Sequence, residues 1–132
     1  MADKFLIAAA VEARSKAYAP YSRFLVGAAV KDEKGAVHAG CNVENAAYPE
    51  GTFAEAGAIA AMILAGGRKI TEAAVVGAGD ALVTPCGGCR QKLREFGAAE
   101  LAIHICDETG KVKRSFTLAE LLPSSFGPEN LS

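Results

Sequence analysis

FLVGAAVKDEKGAVHAGCNV, residues 24–43, is the stretch that decides the fold. Phe24 to Val30 is a short apolar run of the kind a buried strand needs. Lys31-Asp-Glu-Lys-Gly35 is a charged turn, and Ala36 to Val43 reads as the returning strand. Two antiparallel strands cannot bury their faces alone, so the flanking segments must cover them. On the N-terminal side, Phe5, Leu6, Ala9, Ala10, Ala13 and Ala17 fall at helical spacing over residues 3–18, and Pro20 stops the pattern. On the C-terminal side, a loop over 45–52 leads into FAEAGAIAAMILA, a helix over 53–65 that Gly66-Gly67 ends.

The rest of the chain alternates. Ala73 to Val76 reads as a short buried strand, 77–85 as a loop, 86–96 as a helix and Glu100 to Cys106 as a strand. After a turn at 107–110, Val112 to Phe116 reads as a last strand and Thr117 to Leu122 as a short helix. The order α-β-β-α-β-α-β-β-α predicts an α/β fold: one central mixed five-stranded sheet with helices on both faces, a three-layer α/β/α arrangement. The 132 residues fit a single domain over 1–132.

Composition narrows the function. The chain is 51% hydrophobic and 22% charged, with 14 basic against 15 acidic residues. A disordered chain is excluded by that hydrophobicity. No run of Lys and Arg offers the excess that a phosphate backbone demands, so no nucleic-acid partner is expected. No segment is long and apolar enough to span a membrane, and Asp3 and Glu12 break the first apolar stretch. A cytoplasmic, reducing location is the expectation, with the four cysteines free. Aromatics are only 7% and Trp is absent, while Ala and Gly abound. Small side chains allow close packing but bury little area each, so self-association would help such a core.

Two features carry chemistry. Glu55 is the one charged residue in FAEAGAIAAMILA. That helix is apolar on every other side, which predicts burial all round. A carboxylate there must be paired, bind a cation or have a raised pKa, unless it points to solvent from the first turn and simply complements the helix dipole. The second feature is TPCGGCRQ, 84–91, where Cys86 and Cys89 stand two residues apart at a helix start. Exposed N–H groups and the helix dipole favour thiolates, the metal-binding form. A redox pair or idle thiols are the alternatives. Cys41 and Cys106 lie in strands and read as small buried hydrophobes. His38 and His104 lack ligand spacing and read as structural or surface residues.

FxVGAA at 24–29, GCNVENAAY at 40–48, AE at 54–55, PCGxCRQ at 85–91 and LLPxxF at 121–126 together resemble the short homotetrameric branch of the cytidine deaminase family. The resemblance spans about residues 5–131. It implies hydrolytic deamination of cytidine and 2′-deoxycytidine in pyrimidine salvage, with zinc as cofactor and a pyrimidine nucleoside as the small-molecule partner. It implies Glu55 as the catalytic acid/base and Cys86 and Cys89 as zinc ligands. Asn42 and Glu44 would hold the ribose, Phe24 would face the pyrimidine, and Ala54 and Tyr48 would line the nucleoside site. Phe126 would reach a neighbouring subunit's pocket.

The chain departs from the pattern at one telling place. The family motif is Cys-Ala-Glu, with its Cys on zinc; here it is Phe53-Ala54-Glu55. Ala56 stands where some members carry an Arg, and Leu25 where many carry a Pro. Phenylalanine has no lone pair for a metal, and a catalytic zinc normally takes three protein ligands. Impaired turnover is therefore expected. A nucleoside-binding protein without turnover is an alternative, as is a deaminase of other aminopyrimidine nucleosides such as blasticidin S or N4-substituted cytidines.

Overall fold

In the computed structural model, which describes residues 2–131, the hairpin of 24–43 becomes β1 (Val26–Asp32) and β2 (Val37–Cys41). Its turn is fixed by one side chain. Asp32 Oδ1 accepts the backbone N–H groups of Lys34 (2.8 Å) and Ala36 (3.0 Å), and Gly35 supplies the left-handed conformation, φ 84°. His38 Nε2 lies 2.8 Å from the buried Asp32 Oδ2, so this histidine is structural.

The remaining elements are α1 (Lys4–Ser15), α2 (Ala54–Leu64), β3 (Ile70–Gly77), α3 (Gly87–Phe96), β4 (Gly97–Cys106), β5 (Val112–Thr117) and α4 (Leu118–Leu121). The strands form one sheet in the order β2-β1-β3-β4-β5. Only β3 and β4 run parallel, and α3 is the crossover that a parallel pair requires. The expected mixed five-stranded sheet is therefore present. Its two faces follow from strand alternation in β3: Ala73 and Val75 point to one core, Ala74 and Val76 to the other. The first core also holds Met62 of α2, Leu93 of α3 and Leu118 of α4, and the second holds Leu6 and Ala10 of α1. Helices thus cover both faces, in three layers.

Two glycines explain how closely the helices lie on the sheet. A Cβ on Gly27 would fall 2.1 Å from Ala10 O of α1, and one on Gly40 would fall 2.4 Å from Ala58 N and 2.5 Å from Ala54 O of α2. Both contacts are far inside van der Waals distance, so α1 and α2 pack flush against bare backbone. The abundance of small residues serves this contact.

The helix over 53–65 corrects one expectation. It is buried on one side only: Ala54, Glu55, Ala58, Ile59 and Met62 are covered, while Leu64 is 90% exposed. Alanine dilutes the apolar pattern, because it is equally at home on either face, so the sequence looked buried all round. Phe5, placed on the inner stripe of the first helix, is exposed, and Leu6 and Ala10 carry the contact with the sheet.

A polar cluster anchors the chain's start. Asp3 caps α1 through Phe5 N (2.8 Å), its own N–H donates to Glu72 Oε2 (3.0 Å), and Lys31 Nζ bridges Asp3 (2.7 Å) and Glu72 (3.1 Å). The buried His104 completes it, with Nε2 2.7 Å from Glu72 and Nδ1 2.7 Å from Ser115 Oγ.

Candidate active site

Two helix N-termini meet where α2 and α3 begin. Phe53 is the residue that caps α2 and Cys86 the one that caps α3, and neither side chain accepts a hydrogen bond from its helix. Side-chain caps of Ser, Thr, Asp or Asn are worth about 1 kcal/mol each. Forgoing both leaves backbone donors free at a single place.

Glu55 sits in the first turn of α2 and is 6% exposed. The solvent-facing alternative is thereby removed. Burial pushes its carboxyl pKa up, opposed by its own backbone N–H and by a hydrogen bond from the Cys89 thiol. Cys89, 1% exposed, is pushed far up in turn, by burial first and then by the charges of Glu55 and Cys86. Cys86 is exposed and hydrogen-bonds Cys89. Glu55, Cys89 and Cys86 thus form a chain of contacts from the buried floor to the surface.

Beside this chain opens a groove of about 370 Å³ lined by Tyr21, Asn42, Glu44, Tyr48, Thr52 and Phe53, among others. The tyrosine rings of 21 and 48 meet edge to face, centroids 5.8 Å apart. Asn42 and Glu44 are held rigidly by the segment before β1. Asn42 Oδ1 accepts Val26 N–H (2.9 Å), and its Nδ2 donates to Phe24 O (2.8 Å). Glu44 accepts the N–H groups of Tyr21 (3.0 Å) and Ser22 (3.1 Å) and the Ser22 hydroxyl. These donors, the Ser22 hydroxyl foremost, hold its carboxyl below the usual glutamate range. Arg23 adopts a left-handed φ of 63°, a strained conformation for a residue with a Cβ, inside the loop that Glu44 ties down.

The structure therefore gathers Asn42, Glu44 and Tyr48 around one groove, with Phe53 among them, and places Ala54 and Glu55 immediately after Phe53 in buried positions. Phe24 is partly exposed and does not line the groove. Phe126 is 56% exposed, on a tail strapped across α3: Arg90 Nη1 donates to Leu121 O (2.8 Å), Gln91 to Phe126 O (2.9 Å) and Arg94 Nε to Ser125 Oγ (2.8 Å). Tyr21 and Ser22 escaped the sequence reading. Their only signal was the need of Glu44 for donors, which a sequence does not locate.

The four cysteines are free. Cys106 is buried in the α1-side core, its pKa raised by burial to about 11. Cys41 is half-buried rather than buried, because the end of β2 is only partly roofed by α1. Among the described residues, no three His, Cys, Asp or Glu side chains gather closely enough to hold a metal ion.

Comparison with known proteins decides the family. Residues 1–105 match the family described as "Cytidine and deoxycytidylate deaminase zinc-binding region". The chain belongs to this deaminase family. A cytidine deaminase of Sporosarcina psychrophila is 40% identical over 127 residues, covering 96% of this chain and 93% of its own length. One from Mycobacterium tuberculosis is 41% identical over 122 residues, covering 92% and 87%. The crystal structure of cytidine deaminase from Burkholderia pseudomallei superimposes with a TM-score of 0.87 at 43% identity, covering 96% of this chain and all of that one. Zinc is the cofactor of the deaminase family, and here the donors fall short of it: two thiols stand beside Glu55, and the residue two before Glu55 is Phe53.

Proposed function

We propose that the groove binds cytidine and 2′-deoxycytidine and that the framework is built for their hydrolytic deamination to the uridine products and ammonia, slowed in this chain by Phe53. The observation that carries this reading is the buried Glu55, in contact with Cys89 and next in the chain to a groove that presents Asn42 and Glu44.

In this reading Asn42 and Glu44 hold the ribose. A rigid amide and a carboxylate suit vicinal hydroxyls, and burying a hydroxyl without a partner is costly. Tyr48 forms a wall and Ala54 lies toward the base, whereas Phe24 stands outside the groove. Deamination adds water across the C4=N3 bond, hydroxyl to C4 and proton to N3; the bond from C4 to the exocyclic nitrogen then breaks as the hydroxyl proton passes to that nitrogen, which leaves as ammonia. Glu55 suits the proton traffic, because burial raises its pKa toward the range in which a carboxyl both accepts and returns a proton. Zinc, when bound, supplies the acidity of the attacking water; Cys86 and Cys89 are the residues to hold it.

We further assign the protein to the cytoplasm as a homotetramer, in which Phe126 completes a neighbour's pocket. Exposed apolar residues support self-association: Leu64 and Tyr48 as well as Phe126. No helix among the described residues is long and apolar enough to cross a membrane.

The test is product analysis. With zinc added, the chain should convert cytidine to equimolar uridine and ammonia, and Glu55→Gln should lower the rate by about 10²–10⁴-fold. Failure to convert cytidine by both the zinc-supplemented chain and Phe53→Cys would overturn the reading. Binding without turnover is the second reading, favoured by the short donor set; the same assay against other aminopyrimidine nucleosides resolves the remaining substrate choice.

A further inference from the structure

We propose that Phe53 holds this chain in a weakly metallated form that still binds nucleoside: it leaves the α2–α3 junction one donor short of a zinc site and gives the Tyr21–Tyr48 groove an aromatic wall for the base. The identity of the ligand rests on the proposed function above.

No further cysteine or histidine among the described residues supplies the missing donor. Four cysteines and two histidines are the soft and borderline ligands that zinc favours. Cys86 and Cys89 are at the site. Cys41 lines a shallow groove with Ala13 of α1 and Lys16 just beyond its end, whereas the preceding Gly40 faces α2, so the thiol of 41 is on the far side of the sheet from Glu55. Cys106 belongs to the same α1-side core. His38 is taken by Asp32, and both ring nitrogens of His104 are taken, by Glu72 and Ser115. Zinc at Cys86 and Cys89 would therefore complete its shell with water or an outside ligand.

Phe53 is also a poor structural choice, which points to a role in binding. It occupies a helix cap without capping it, and its ring is 56% exposed. It contributes little to the core. Phe53 instead lines the groove that Tyr21, Tyr48, Asn42 and Glu44 also line. An aromatic face there offers stacking to a planar base without any metal.

Two measurements test this, both on the full chain. First, zinc affinity is measured by competition with a chromophoric chelator, for the chain as it is and for Phe53→Cys. A gain of at least about tenfold in Phe53→Cys is expected, since even outer-shell losses cost 10–100-fold. A smaller gain overturns the donor argument. Second, cytidine binding is measured by calorimetry on metal-stripped protein. Phe53→Ala should weaken it about tenfold and Phe53→Tyr should keep it within threefold. Equal affinity of Phe53→Ala and the parent, or no binding by the metal-stripped parent, overturns the wall. Melting curves of both variants guard against a folding defect, and Phe53→Tyr retains the ring if Phe53→Ala is unstable. These failures differ from failure of the proposed function, which would appear as zinc-loaded Phe53→Cys that does not convert cytidine.

Discussion

Gly40→Ala tests how the sheet places Glu55. The added Cβ would sit 2.4 Å from Ala58 N and 2.5 Å from Ala54 O, where 3.4 Å is ordinary contact, so α2 must retreat by about 1 Å. Both clashing atoms are backbone, so no rotamer change relieves them. Overpacking of this kind costs about 1–3 kcal/mol, which for a chain of this size lowers the melting temperature by about 4–12 °C. The retreat also loosens the start of α2 from α3, where the Cys89 thiol donates to Glu55. Two assays follow it: thermal unfolding, and the rate at which a thiol reagent modifies Cys89, which is 1% exposed in the parent. Gly87→Ala is the matched control. A Cβ there meets nothing within 4 Å at the start of α3, so the same substitution should stabilise by about 0.4–1 kcal/mol. If Gly40→Ala melts like the parent and Cys89 stays protected, flush packing of α2 on Gly40 is not what positions the carboxylate.

Three further outcomes are expected. Asn42→Ala removes the acceptor of Val26 N–H and the donor to Phe24 O; it should cost about 1–3 kcal/mol in denaturant unfolding, and Asn42→Asp should recover only the Val26 contact. Acid should destabilise the fold through Asp32 and Glu72. Asp32 is held below its ordinary 3.8, chiefly by His38; burial raises Glu72, but Asp3 N–H, Lys31 and His104 outweigh that and hold it below 4.5. Because both folded pKa values are depressed, their stabilisation is fully present above the ordinary values and is lost as pH falls through them, and Glu72→Gln should flatten the loss below about pH 4.5 in a melting series. Finally, Gln91→Ala should free the tail carbonyl at Phe126 and raise proteolytic cleavage after residue 121 while leaving the melting of the main transition nearly unchanged.

Much of this molecule was legible in its sequence because its signals are local. The Lys31–Gly35 turn, the apolar run of β1, and the glycines ending α2 each announce themselves within a few residues. The ends of β3 and β4 did not. Ile70 to Glu72 and Gly97 to Glu100 include exposed or polar side chains, and Glu72 earns its place in the sheet only through Lys31 and His104, which are distant in sequence. The site divides the same way. Glu55 stood out as a lone carboxylate on an apolar helix, and the CxxC spacing is self-evident. The roles of Tyr21 and Ser22 depend on a left-handed Arg23 and on donors aimed at Glu44 from 22 or more residues away, and only the fold brings them together. The one-sided burial of α2 was illegible for a different reason: alanine carries almost no information about which way it faces.

Whether this is a deaminase framework curtailed at one position is read from kcat/KM for cytidine in Phe53→Cys against the parent chain, with bound zinc measured on the same samples. Zinc content and kcat/KM should rise together, and adding Glu55→Gln to Phe53→Cys should remove the rate while leaving the zinc. A Phe53→Cys protein that binds one zinc per chain and deaminates cytidine no faster than the parent would mean that Phe53 is not what limits this chain.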